Sequence, residues 1–179
     1  MEKDKKNKGA GAGGKNTNIN GKKLEKKTCD VINNILVNYN NMSHIFRAKQ
    51  HDFRKWDIKE GHSNDIKNYS NKSIEGVKLP DDAIIDKQKK ILYWIECKVQ
   101  NVRGSKCEVL QTFQLKIKNL EERYPDYKIV YIYVFNAKMR DIVAPTILRY
   151  LKEYKIPIVW EDSEHFENNF KTILSPSLN

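Results

Sequence analysis

Hydrophobic and polar positions along the chain alternate between two periods. Leu24, Thr28, Val31, Ile32, Ile35, Leu36 and Tyr39 recur at helical spacing, so the pattern predicts a helix after Asn20-Gly21. Ala83-Ile84-Ile85 is a short apolar run closed by Asp86. Ile91 to Ile95 is apolar and aromatic and passes into an alternation of Glu96, Lys98 and Gln100. Both read as strands, and the polar link Lys87-Gln88-Lys89-Lys90 between them suits a hairpin. Val109, Leu110, Phe113, Ile117 and Leu120 give one face of a helix that follows the turn at 101–104. Ser105 is a plausible N-cap, Glu108 an acid favoured in the first turn, and Pro125 the stop. The near-continuous run Ile129 to Phe135 predicts a central strand buried on both faces. Pro145 fits the first turn of a helix through Ile147, Leu148 and Leu151. A short strand follows at 156–160, then a last helix capped by Asp162-Ser163-Glu164 and carrying Phe166, Phe170, Ile173 and Leu174.

The order is helix, strand, hairpin strands, helix, strand, helix, strand, helix. It predicts an α/β chain whose mixed sheet is flanked by helices. The weakest stretch is 40–76. Ile45-Phe46-Arg47 starts a strand there, and Ile74 to Leu79 leads into the strand before the hairpin. Between them Lys49, His51, Arg54, Lys55, Trp56, Lys59, His62 and Lys67 interleave basic and aromatic groups. That mixture suits phosphate and base-edge contact as well as it suits a solvated basic loop.

Composition narrows the partners. The chain has 179 residues, enough for one domain with a real core, and carries a formal charge of +10. Residues 1–27 hold nine Lys against Glu2, Asp4 and Glu25, so 9 − 3 = +6 of that charge lies in the N-terminal stretch. Its Lys-, Gly- and Asn-rich part, residues 1–20, reads as a flexible basic arm, with one domain over 21–179. A polyanion, nucleic acid first, is the partner this balance favours. No apolar run approaches a membrane span and the N-terminus has no signal-peptide pattern, so an intracellular location is expected, with no membrane partner. Cys29, Cys97 and Cys107 form no CxxC pair and read as reduced thiols. His44, His51 and His62 have no metal-ligand spacing.

The chemistry concentrates in the hairpin. Pairing its strands brings Asp81 or Asp82 beside Glu96 and Lys98. Charges in so apolar a setting are costly unless paired or bound to a cation. One reading is a salt bridge on a two-stranded ribbon. The other is a Mg²⁺ site, because hard carboxylate oxygens suit an ion that takes one or two carboxylates plus waters and substrate phosphate. Asp81 and Asp82 alternate across the strand, so only one of them belongs to the cluster unless the backbone is bulged.

Pro80-Asp81 followed by Glu96-Cys97-Lys98 resembles the signature of the PD-(D/E)XK nucleases, in particular type II restriction endonucleases of the EcoRI-like branch. Gln100 two places after the lysine agrees with it. So do the Gly104-Ser105 that open the next helix, and the run from Gly13-Gly14 through Thr17-Asn18 and Gly21 to Leu24-Glu25. The resemblance spans residues 13–160 in order and type of elements. It implies an αβββαβ core and a Mg²⁺-dependent, site-specific double-strand DNA endonuclease that leaves 5′-phosphate and 3′-hydroxyl ends and acts as a homodimer without a nucleotide cofactor. Asp81, Glu96 and Lys98 are the catalytic set it implies. The metal would be held by Asp81, Glu96 and the Cys97 backbone carbonyl, with Glu25 assisting and Asp82 the alternative to Asp81. Gln100, Arg103, Ser105 and Lys106 would lie near the site or the DNA. A structure-selective repair nuclease of the same fold, and a non-catalytic basic nucleic-acid-binding module, are the other readings.

Overall fold

The computed structural model describes residues 15–39, 43–60, 79–101 and 109–178. The elements run α1 (Lys15–Asn38), β1 (Ile45–Ala48), α2 (Gln50–Lys59), β2 (Asp82–Asp86), β3 (Ile91–Lys98), α3 (Phe113–Arg123), β4 (Lys128–Phe135), α4 (Met139–Ile142), α5 (Pro145–Glu153), β5 (Ile158–Trp160) and α6 (Phe166–Leu178). The five strands form one mixed sheet in the order β1-β2-β3-β4-β5. β1, β2 and β3 pair antiparallel, whereas β3-β4 and β4-β5 are parallel. Parallel neighbours need a crossover, and α3 and α5 lie in the two connections. The architecture is mixed α/β, with α2 lying between the first and second strands.

Strand alternation divides the core in two. One face of the sheet, with Ala83, Leu92, Trp94, Tyr133 and Phe135, packs against Phe53 and Trp56 of α2, Phe113 and Leu120 of α3, and Leu151 of α5. The other face, with Ile84, Tyr93, Ile95, Ile132 and Val134, packs against Leu24, Ile32 and Ile35 of α1 and Phe166, Phe170 and Leu174 of α6. β3 and the second half of β4 are covered on both sides, and this is why they read as unbroken apolar runs.

The hairpin turn is where the polar link placed it. Asp86 Oδ1 accepts the backbone N–H of Gln88 at 3.0 Å and of Lys89 at 2.8 Å, and Lys90 takes a left-handed φ of 54° to close the turn.

Several expectations are corrected. The first helix begins at Lys15, so Asn20-Gly21 lie inside it and the helix runs into the stretch read as the arm. Residues 50–59 are helical, and Phe53 and Trp56 are core; Trp56 is therefore not a DNA contact. Two buried aromatics three residues apart outweigh the polar positions around them once a sheet face is there to receive them. Their helix is further tied down at Asp57, whose carboxylate takes Arg123 and, at 2.8 Å, the Tyr124 hydroxyl. The strand before the hairpin begins at Asp82, because Pro80 has no N–H to donate. Val109 is largely exposed, unlike its neighbours on the helical face. The last helix starts at Phe166; Asp162 to His165 form the turn before it, in which Ser163 Oγ accepts the His165 N–H at 3.2 Å. Residues 1–14 and 61–78, and Ser105 and Glu108, lie outside the described residues.

Candidate active site

The site forms where β2 begins and β3 ends. Asp82 is paired with Ile95, so Asp81 lies one residue before β2 and opposite the end of β3. Its backbone N–H donates to the Ile95 carbonyl at 3.1 Å, and its Oδ2 accepts the Cys97 N–H at 2.7 Å. Parity gives Asp81 the same face as Ala83, Trp94, Glu96 and Lys98.

Glu96 is buried to 4% exposure. One of its oxygens accepts the Trp94 indole N–H at 3.2 Å, and the other accepts the Lys98 ammonium. Two carboxylates and one ammonium thus converge in a largely dry place. Burial, and after it the Glu96 charge, pushes the Asp81 carboxyl up to about 6. Lys98 and the Cys97 N–H pull it down, and Glu25 adds to the rise. Burial pulls the Lys98 ammonium down, but Glu96 and Asp81 more than offset this, so Lys98 titrates above its ordinary value.

Asp82 points to the opposite face. Arg47 of β1 holds it with both forks of its guanidinium and also reaches Asn33 of α1. Asp82 is therefore committed to an ion pair that ties β1, β2 and α1 together, and Asp81 is the acid that shares space with Glu96. The Cys97 side chain likewise leaves the cluster, with Sγ 3.7 Å from Thr28 Oγ1 on α1. Glu25 stands one turn before Thr28, exposed, and its charge reaches Asp81 and Cys97. Gln100 is buried just past β3, where its N–H donates to Asn136 Oδ1 at 3.1 Å; the Asn136 N–H in turn donates to the Lys98 carbonyl at 3.2 Å. Asn136 thus pins the chain on the far side of Lys98. Arg103 and Lys106, like Ser105, lie outside the described residues.

The donor set fits a hard divalent cation of the Mg²⁺ kind. Two crowded carboxylates, one of which resists ionisation through burial and then through the charge of the other, gain from a shared cation, and Mg²⁺ needs only one or two protein carboxylates. Among the described residues there is no group of three or more His, Cys, Asp or Glu placed to hold a metal.

No family model matches the chain, and no curated relative matches it. Among solved structures it is similar to the MunI restriction endonuclease in complex with cognate DNA, at 14% identity and a TM-score of 0.44, over 77% of this chain and 84% of that one. At that identity and score the reading of the site rests on Asp81, Glu96 and Lys98 themselves.

Sequence reasoning missed the floor of the site. Tyr131 and Tyr133 of β4 lie beside Trp94 and Glu96, and their hydroxyls are buried without a hydrogen bond. The apolar run suggested a core strand and nothing more. The signal was there in the parity, since two phenols two residues apart must share a face. No described helix is long and apolar enough to cross a membrane.

Proposed function

We propose that the protein is a Mg²⁺-dependent endonuclease that cuts double-stranded DNA at specific sites, a type II restriction enzyme of the EcoRI-like branch. The observation that carries this reading is the convergence of Asp81, Glu96 and Lys98 on one face at the open end of the hairpin. The net charge of +10 supports a polyanionic substrate.

Asp81, Glu96 and the Cys97 carbonyl are the groups that would hold the cation, with Glu25 assisting from α1. Bound there, Mg²⁺ supplies charge stabilisation for the phosphate and its leaving 3′ oxygen. Lys98 remains an ammonium at neutral pH, so its role is to donate: it orients the attacking water and neutralises charge growing on the phosphate. Trp94 fixes one oxygen of Glu96 and so aims the other into the site. Hydrolysis in this sense leaves 5′-phosphate and 3′-hydroxyl ends. A twofold palindromic target would be met by a homodimer.

Digestion of long unmethylated duplex DNA with Mg²⁺ tests the proposal. Discrete fragments are expected from the parent and none from Glu96→Ala, Lys98→Ala or the parent in EDTA. Preference for flaps or junctions over plain duplex would instead indicate a structure-selective nuclease. DNA binding without any cleavage would leave a binding module.

A further inference from the structure

Tyr131 and Tyr133 are 2% and 0% exposed, and neither hydroxyl has a hydrogen-bond partner. Their rings meet edge to face with centroids 5.2 Å apart, and the two hydroxyls lie near enough to feel each other. Both belong to the strand paired with β3: Tyr131 is opposite Trp94 and Tyr133 opposite Glu96. Burial, and after it the Glu96 charge, raises the Tyr131 hydroxyl, which also feels Asp81; Tyr133 is raised by burial and by Glu96. The phenols therefore share the sheet face of Trp94 and Glu96, on the neighbouring strand.

Two buried donors with nothing to donate to are expensive, and a carboxylate lies within their field. A buried water needs two to four polar partners, and this corner offers three. Neither hydroxyl is hydrogen-bonded to Glu96, whereas a single water would bridge all three groups.

We propose that the hydroxyls of Tyr131 and Tyr133 hold a buried water against Glu96, and that this water fixes the carboxylate in its ligating orientation. Glu96 is then held by three partners: Trp94, Lys98 and the water. The two tyrosines are positioning residues and need touch neither DNA nor cation. The part of the inference that concerns ligation rests on the nuclease reading above; the water itself does not.

The test combines a crystal structure of the metal-free protein with Mn²⁺ binding followed by electron paramagnetic resonance. The parent, Y131F, Y133F, the double variant and E96A are compared. An ordered water within hydrogen-bond distance of both hydroxyls and Glu96 is expected, lost in the double variant. Mn²⁺ affinity of the double variant should fall about 10-fold, the usual effect of removing a group that orients a metal ligand. Absence of the water from a well-ordered parent site overturns the inference, as does parental Mn²⁺ affinity in the double variant. If E96A binds Mn²⁺ as the parent does, or the parent binds none, the metal reading fails instead. The water then decides alone, its presence supporting the inference and its absence refuting it.

Discussion

Replacing Asp81 with Asn should make the metal-free protein more stable while removing its proposed activity. The Asp81 carboxyl rises from an ordinary 3.8 to about 6 in the folded state, chiefly through burial and then through Glu96. Between those values the native state holds the proton that the unfolded chain releases, so stability falls as pH rises through this window. The gap of roughly 2.2 pH units, at about 1.36 kcal/mol per unit, gives a penalty of about 3 kcal/mol at neutral pH. Asparagine removes the charge but keeps an oxygen able to accept the Cys97 N–H. D81N and the parent should therefore be about equally stable near pH 4, and D81N should be ahead by up to about 3 kcal/mol above pH 6. Urea denaturation in EDTA across pH 4 to 8 measures the difference. Added Mg²⁺ should stabilise the parent and leave D81N unmoved, since only the parent keeps both carboxylates. A stability difference that stays constant with pH would refute the account of Asp81 as a crowded, desolvated acid. A D81N protein less stable than the parent at pH 7 would do the same.

Arg47→Ala should cost about 3 kcal/mol in urea denaturation, because it strands Asp82, whose side chain is only 5% exposed. Replacing Asp82 by Ala as well should recover part of that loss, and a single-variant cost below about 0.5 kcal/mol would show that the pair ties nothing together. Lys155→Gly should stabilise the protein by about 1 kcal/mol, a melting temperature about 2 to 4 °C higher by calorimetry. Lys155 follows α5 at a φ of 54°, where a side chain is strained and glycine is not, and the Ile156 N–H to Leu151 carbonyl bond at 2.9 Å holds it there.

The order of the strands and the place of the hairpin were legible in the sequence because both rest on local periodicity. Ile91 to Ile95 and Ile129 to Phe135 are apolar throughout, and only a strand covered on both faces asks for that. The alternation of Glu96 and Lys98 likewise placed both charges on one side before any partner strand was known. The polar segment 50–59 was not legible as a helix. Its amphipathicity depends on Phe53 and Trp56 finding a sheet face, and on Asp57 finding Arg123, sixty-six residues away. The choice between Asp81 and Asp82 had the same character. Local alternation says that they diverge, but not which of them meets Glu96; the pairing of Asp82 with Ile95 and the grip of Arg47 decide that. The buried phenols of Tyr131 and Tyr133 belong to this second class too. A tyrosine in an apolar strand looks like core until the neighbouring strand sets a carboxylate beside it. Period is a property of a few consecutive residues, and the chain alone determines it. Which charges meet, and which donors are left without a partner, follows from contacts between distant segments, and only the folded sheet fixes those.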